Sequence, residues 1–418
     1  MSKVPGDVEI ESIKIGDYDL SDNKLTLGGF NIYESAIHHH TFADITILDA
    51  NDILGTKQFA GDEEVEIKFK HPGEDKAATF KFALLENAKL KHNNNMRMKT
   101  YELRCVSPEY LKAQNKVVNK SWNTQTSNIV KDVVKDFWET KKEVKIKKDT
   151  KSKQTYISNS KSPHTVINHL KHRHVSQDHK EDGSLYSLYE TRNDNGEQEI
   201  HFDTFHNMMK NNETDLEFIQ DTTIHSDLTS SKDFNNILKV NIASSFYTPD
   251  RFRATGARST YCLATGKQQK EDAPFKDPDI PLSKSPIRDK QVEQINKPPK
   301  DQKPQRSRLM DPSNQKEQTF MPQSDPYKAS MLARLTNDVS TMIVPGNIKL
   351  KVGQVISVKL TQKANLSKQS GDLDNQISEK VLITGLRHVI NPQSDDPQYV
   401  CVVEFIKAGW KKKADQNA

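Results

Sequence analysis

The clearest periodic signal in this chain lies between Leu25 and Phe69. Asp44-Ile45-Thr46-Ile47 and Val65-Glu66-Ile67-Lys68-Phe69 alternate polar and apolar residues, which sets one face of a strand on a core and the other in water. Turn formers stand between them: Asp49, Asn51, Asp52, Gly55, Gly61 and Asp62. Val8, Ile10, Ile13 and Ile15 extend the pattern on one side, Phe80 to Leu84 and Tyr101 to Cys105 on the other, with polar linkers such as HPGEDKA and KHNNNMR. Residues 8–107 therefore read as strands throughout, forming a closed or nearly closed all-β unit, since closure removes exposed edges.

Past Ser107-Pro108-Glu109 the period changes. From Ile129 to Trp138 apolar residues fall on one broad helical face. A second helix opens at Ser162-Pro163, an N-cap followed by proline in the first turn, and carries Val166, Ile167 and Leu170 on one side. A hairpin follows, Ser184 to Glu190 and Glu199 to Phe202 around the turn Asn193-Asp194-Asn195-Gly196. Alternation returns at Leu238, Val240 and Ile242. Residues 267–327 then hold 10 of the 18 prolines and few large aliphatics, a composition that orders on a partner rather than alone. Asp325-Pro326 predicts a short helix with Met331, Leu332 and Leu335 inward. Strands resume at Met342–Val344, Ile348–Val352, Ile356–Leu360, Val381–Ile383 and Cys401–Phe405.

The predicted fold class is α+β, mainly β: two antiparallel β-barrel units, an intervening α+β unit and a Pro-rich insertion. The expected boundaries are 1–108 for the first barrel, 109–234 for the middle unit, 235–250 with 340–408 for the second barrel, 251–339 for the insertion and 409–418 for a tail.

Composition narrows the function classes. At 418 residues the chain has room for two or three domains. Only 34% of residues are hydrophobic and mean hydropathy is −0.80, so small cores sit under a large polar surface. With 61 basic and 57 acidic residues the net charge is +4, too little for a global field aimed at nucleic acid. Cys105, Cys262 and Cys401 are odd in number and far apart, which fits a reducing compartment rather than a disulfide framework. There is no apolar signal segment at the N-terminus and no run of about 20 apolar residues. A soluble protein made in a cytoplasm, with no membrane insertion, is expected.

Histidine is the only candidate metal chemistry. His38-His39-His40 is read as part of a strand with His38 and His40 on one face, while His169, His172 and His174 follow the Pro163 helix. His38 with His40, or His169 with His172, are the pairs able to share a metal; His172 and His174 project about 200° apart on a helix. Neither group has a cysteine pair or an HExxH spacing, so polar surface histidines are the simpler reading. P-loop, dinucleotide, GxSxG and CxxC motifs are missing from the sequence. Lys141, Lys142, Lys145, Lys147 and Lys148 lack interleaved aromatics and read as a solvated edge. Tyr186 and Tyr189 read as core or interface anchors. No catalytic, cofactor-binding or metal residue is assigned, and no cofactor.

The order of these fragments resembles the baseplate hub proteins of contractile-tailed bacteriophages of the T-even type, and more distantly the hub half of type VI secretion spike proteins. The residues that carry it are Tyr33-Glu34-Ser35, Ile45 to Ala50, Gly61-Asp62-Glu63 leading into Val65 to Phe69, and Ser162-Pro163. Gly183 to Tyr186, Tyr189 to Arg192, His201-Phe202, Val344-Pro345-Gly346 through Leu350, Val352-Gly353, Val358 and Tyr399 to Phe405 complete it. It covers most of residues 8–407; the stretch 267–327 departs from it. The resemblance implies two tail-tube-like domains per chain and three chains in a ring, a non-enzymatic hub presenting six similar units. A hexameric tail tube or tube-initiator protein would stack on one face, a trimeric tail-lysozyme-type central spike on the other, with inner baseplate proteins around it. Double-stranded DNA would pass through the lumen without specific binding, in a virion assembled in the bacterial host cytoplasm. The alternatives are a tail-associated peptidoglycan hydrolase, and a tube-initiating or terminating protein with one tube-like domain per chain. The 267–327 stretch is expected to be protease-sensitive until assembly covers it.

Overall fold

The computed structural model describes residues 6–20, 26–51, 54, 61, 63–93, 98–151, 153–172, 174–177, 185–220, 235–242, 256–262, 268–273, 282, 285–286, 306–310, 328, 331–332, 335, 339–360, 378–393, 398–407 and 410–411. In chain order the strands are β1 (Glu9–Ile15), β2 (Tyr18–Asp19), β3 (Thr26–Ser35), β4 (Phe42–Asp49), β5 (Glu64–Lys70), β6 (Ala78–Asn93) and β7 (Met98–Val106). Helix α1 (Pro108–Gln114), β8 (Val118–Gln125), α2 (Thr126–Phe137), β9 (Val144–Ile146), β10 (Lys153–Lys161) and α3 (Pro163–Lys171) follow. Next come β11 (Tyr186–Arg192), β12 (Gln198–Thr204), α4 (Phe205–Asn211), β13 (Glu213–Gln220) and β14 (Lys239–Asn241). The remainder is β15 (Gly256–Cys262), β16 (Gln268–Ala273), β17 (Ser285–Pro286), β18 (Arg306–Met310), β19 (Ser340–Pro345), β20 (Val355–Leu360), β21 (Glu379–Ile390), β22 (Tyr399–Lys407) and β23 (Trp410–Lys411).

The alternation behaves as strand geometry requires. In β4, Ala43, Ile45, Ile47 and Asp49 turn inward, and in β5, Val65, Ile67 and Phe69 do. Among the described residues one large sheet runs β14-β19-β22-β21-β3-β4-β7-β6-β5-β1-β2, with β20 pairing both β13 and β21. The strand-rich stretches at the two ends of the chain thus meet edge to edge: β3 pairs antiparallel with β21 from Ser35↔Gly385 to Phe30↔Ile390. Their side chains share one core, in which Phe69 packs edge-on to Phe30 at 5.6 Å and to Tyr399 at 5.7 Å. The fold class is mainly β with large antiparallel sheets, as expected.

A second core belongs to the middle elements. Helix α2 buries Ile129, Val130, Val133 and Val134, and α3 buries Val166, Ile167 and Leu170. The Ser162 hydroxyl caps α3 by accepting from the Thr165 N–H at 3.2 Å. These faces pack with Trp122, Trp138, Tyr156, Tyr186 and Phe202. The predicted hairpin is β11–β12, and its turn is tied by Asn193 Oδ1, which accepts from the N–H groups of Asn195 and Glu197.

Three local expectations fail. His38-His39-His40 is not strand: β3 ends at Ser35, whose hydroxyl accepts from the Ile37 and His38 N–H groups and turns the chain into a bend. Ile348–Val352 alternates in sequence but forms turns, because the Ile348 and Leu350 carbonyls are taken by the Arg192 guanidinium rather than by a strand. Near Asp325-Pro326, Met331 and Leu335 are buried as predicted, whereas Leu332 is 42% exposed. Of the Pro-rich stretch, β16, β17, β18 and Leu282 are described; the rest of 267–327 lies outside the described residues, as do Asp52, Gly55 and Asp62 of the opening turns and His174's neighbour Arg173.

Candidate functional site

The chemistry-bearing side chains gather at two buried junctions rather than in an open pocket. The first is centred on Glu190 of β11. Its carboxylate accepts from Thr41 Oγ1 at 2.7 Å, Ser107 Oγ at 2.6 Å and the Thr41 N–H at 3.3 Å. Lys142 Nζ stands 3.2 Å from Glu190 and 2.8 Å from Glu109 of α1, and His40 Nδ1 lies 3.3 Å from Glu190. Burial by itself would raise the Glu190 carboxyl, but the Lys142 ammonium and the hydrogen bonds from His40 and Ser107 outweigh it and hold it well below the ordinary range. Burial lowers the Lys142 ammonium, yet Glu190 and Glu109 leave it raised. Ser187 of β11 adds a hydrogen bond from its hydroxyl to the Ala36 carbonyl. This network fastens the β3–β4 bend and the end of β7 to the middle elements.

The second junction is centred on Arg192, two residues further along β11. Its guanidinium donates to the Leu350 carbonyl at 2.6 Å and the Ile348 carbonyl at 3.0 Å, and lies 3.2 Å from Glu34 Oε1 of β3. His388 of β21 sits 2.9 Å from the same Glu34 oxygen through Nε2 and 2.6 Å from the Tyr399 hydroxyl through Nδ1. Cys401 Sγ is 3.6 Å from His388 Nδ1. Burial would raise Glu34, but Arg192 and His388 hold it below its ordinary value. Burial would lower His388, but Cys401 and Glu34 leave it raised. Cys401, His388 and Glu34 have the order of a nucleophile, a base and its orienting acid, yet all three side chains are fully buried in the sheet. At these positions they link β3, β21 and β22.

Beside this junction opens a cleft of about 490 Å³ between the loop before β6, the β11–β12 turn and the 348–354 turns. Two of its lysines pair with two of its acids, Lys349 with Glu74 at 3.3 Å and Lys351 with Asp194 at 2.9 Å, and Lys76 Nζ donates to the Asp194 carbonyl. The Thr79 N–H donates to the Gly196 carbonyl at 2.9 Å, so the hairpin turn itself is seated against β6.

The histidines singled out in the sequence are dispersed. His38 is exposed and does not join His40, which instead reaches His164 of α3, Nε2 to Nε2 at 2.7 Å. His169 packs by Tyr156 at 5.8 Å, and the His172 carbonyl accepts from Lys328 Nζ at 2.7 Å. Among the described residues no three His, Cys, Asp or Glu side chains are grouped to hold a metal ion. Of the lysine run, Lys142 is the buried cation of the first junction, Lys145 pairs with Glu199 at 2.5 Å, and Lys141 and Lys147 are exposed. Tyr186 stacks on Phe202 at 4.7 Å, and Tyr189 is fully buried; both are core residues.

Sequence reasoning missed Glu34, His388, Arg192 and Glu190. Two of them left a signal. Glu34 continues the inward phase of Phe30 and Ile32, and His388 lies between Leu386 and Ile390 in theirs. A titratable residue at the apolar phase of a strand needs a buried partner. Arg192 and Glu190 left none, because all of β11 is buried on both faces.

No protein-family profile matches the sequence, and no curated protein matches it. Solved structures do match. A tail protein from Neisseria meningitidis MC58 superposes with a TM-score of 0.56 at 9% identity, covering 96% of each chain. The 43 kDa tail protein of prophage MuSo2 from Shewanella oneidensis gives 0.52 at 11% identity, over 95% of this chain and 98% of that one. A chain of a Francisella PdpA–VgrG complex gives 0.50 at 12% identity over 97% of this chain and 59% of its own. The fold is that of phage tail proteins. Among the described residues no helix is long and apolar enough to cross a membrane.

Proposed function

We propose that this chain is a structural, non-enzymatic subunit of the baseplate hub of a contractile phage tail. Three copies form a pseudo-six-fold ring that joins the hexameric tail tube to the trimeric central spike, and double-stranded DNA passes through its lumen. Residues 1–108 and 235–250 with 340–408 supply the two tube-like units, 109–234 the middle unit, 251–339 the insertion and 409–418 the tail. The observation that carries this reading is the tail-protein fold over almost the whole of both chains. The pairing of β3 with β21 supports it, because it sets the two strand-rich stretches side by side as neighbouring units of one sheet. Three chains with two such units each give six, which matches a six-fold tube on one face and a three-fold spike on the other. A chain of a PdpA–VgrG complex with a similar fold favours a spike-type partner. The protein acts in the virion, at the tail baseplate, after assembly in the host cytoplasm, beside tube-initiator and inner baseplate proteins.

Multi-angle light scattering and electron microscopy test this directly. Trimeric rings, alone or with the spike protein, are expected; a strictly monomeric species under both conditions would overturn the proposal. The rival reading, a tail-associated peptidoglycan hydrolase, has the Cys401, His388 and Glu34 series to draw on, and the burial of all three supports the structural role. Clearing on a peptidoglycan zymogram would reverse that choice.

A further inference from the structure

Three imidazoles meet where the β3–β4 bend touches α3, at the rim of the Glu190 junction. His39 and His40 come from the bend and are 8% and 5% exposed. His164 comes from the first turn of α3 and is half-buried. The His164 ring lies parallel to that of His39 at 6.1 Å and 5.0 Å from that of His40. Two contacts join the segments through ring nitrogens: His40 Nε2 to His164 Nε2 at 2.7 Å, and Lys171 Nζ to His39 Nε2 at 3.3 Å. Both carry the same constraint. Between two imidazole nitrogens one must accept, so His40 and His164 cannot both be cations and keep the bond. An ammonium only donates, so His39 Nε2 must be the bare, accepting nitrogen of a neutral ring.

We propose that His39, His40 and His164 form an acid-released latch between the β3–β4 bend and α3. At neutral pH the His39 and His164 rings are uncharged and the latch is closed. As protons bind, His39 loses its acceptor nitrogen against Lys171, and the His40–His164 contact tolerates one imidazolium but not two, because the second leaves it without an acceptor. The surrounding charge offers little relief to His39 and His164. The bend itself contributes His38 beside His39; α3 contributes Lys171, β11 contributes Glu190, α1 contributes Glu109 and Tyr110, and the segment after α2 contributes Trp138 and Lys142. Glu190 offsets charge on His40, but His39 faces Lys171 and its neighbouring imidazoles and His164 faces His40, so added imidazolium charge on His39 and His164 is repelled.

The titration follows the geometry. Burial, then Lys171, hold the His39 imidazole well below its ordinary value; burial, then His40, bring His164 down to about 4. A ring whose closed-state value is depressed protonates preferentially in the open state. The latch is therefore unaffected above about pH 6.5 and weakens progressively as pH falls below it, by about tenfold per pH unit for each such ring.

Hydrogen–deuterium exchange on the full-length protein at pH 7.5 and pH 5, corrected for intrinsic rates, reads the latch. Peptides covering residues 36–42 and 162–172 are expected to lose at least about tenfold protection relative to β4–β7 peptides. The H39Q/H164Q variant, which cannot take up the protons, should keep the same protection at both values, and H38Q should behave as wild type. K171M, which removes the facing cation and with it one of the two contacts, should be less protected than wild type at pH 7.5 and lose less on going to pH 5. The same loss of protection in H39Q/H164Q as in wild type, or no loss in wild type, overturns the latch. If the double variant fails to fold at pH 7.5 by circular dichroism, K171M decides: protection equal to wild type at both pH values refutes the proposal.

Discussion

Arg192→Met removes the cation of the second junction while keeping most of its volume. Its guanidinium serves the Ile348 and Leu350 carbonyls and Glu34, and is itself only 1% exposed. After the substitution Glu34 keeps the His388 contact at 2.9 Å but loses the charge that outweighs its burial, and two carbonyls lose a charged donor. Removing one partner of a buried pair costs about 3–5 kcal/mol, a large share of the roughly 5–15 kcal/mol that a folded domain holds. With a urea dependence of about 3 kcal/mol per molar, the midpoint should fall by about 1–1.7 M. Glu34→Gln in the Arg192→Met background should recover part of that loss, since the stranded carboxylate is then gone. The junction also has a pH signature. Glu34 is held low, so its contribution is present above the ordinary carboxylate range and is lost as pH falls through its folded value. His388 is held high, so its contribution is complete below the ordinary imidazole value and is lost as pH rises through its folded one. The junction is strongest between about pH 5 and 6.5. A loss under about 1 kcal/mol in Arg192→Met, measured by urea unfolding at pH 6, would refute the assignment of Arg192 as the tie among β3, β11 and the 348–350 turns.

Two further substitution and reactivity tests follow from local geometry. Gly353 has φ of +82°, and a Cβ there would stand 2.7 Å from the Tyr189 hydroxyl; Gly353→Ala should cost about 1–3 kcal/mol by thermal unfolding, and an unchanged melting temperature would show the turn to be slack. Burial pushes the Cys105 thiol up to about 12, so it should resist iodoacetamide at pH 8 in the native protein and react on unfolding; labelling of the folded protein at the rate of a free thiol would contradict its place in the core.

How much of this was legible depends on which residues face the core. In Asp44 to Ile47 and Val65 to Phe69 period-two alternation identifies strands, because each inward position is apolar and each outward one polar. Ile129 to Val134 identifies α2 for the equivalent reason at helical period, and Ser162-Pro163 marks the start of α3 through the cap that the structure forms. Alternation says which face of a strand is buried but not which strand lies beside it. The pairing of Phe30 with Ile390, from opposite ends of the chain, was therefore out of reach. Strands β8 and β10 were missed because VNKSWNTQ and KQTYISNSK carry too few apolar residues to show a period, although Trp122 and Tyr156 do turn inward. The histidine triplet misled because a run of three imidazoles has no period at all, and the Ser35 hydroxyl, not the histidines, decides the backbone there.

Both junctions lie on one strand, β11, and that arrangement has a mechanical reason. Sheet hydrogen bonds fix the register of β3 against β21 but say nothing about how the middle elements sit on the sheet. Apolar contacts would hold them there while tolerating sliding, since dispersion is non-directional. Glu190 and Arg192 instead offer bonds with fixed directions, to Thr41 and Ser107 on one side and to Glu34 and the 348–350 carbonyls on the other. A displacement of about an ångström would leave charged groups buried and unpaired, a cost of several kcal/mol that an apolar joint would not impose. The Gly196 turn adds a third point of attachment: a Cβ at this position would meet the Ala77 carbonyl at 2.1 Å, so the backbones are already in contact. Three directional attachments therefore hold the middle elements against the sheet. β11 carries two of them, so it is the strand through which the middle elements are tied to the sheet.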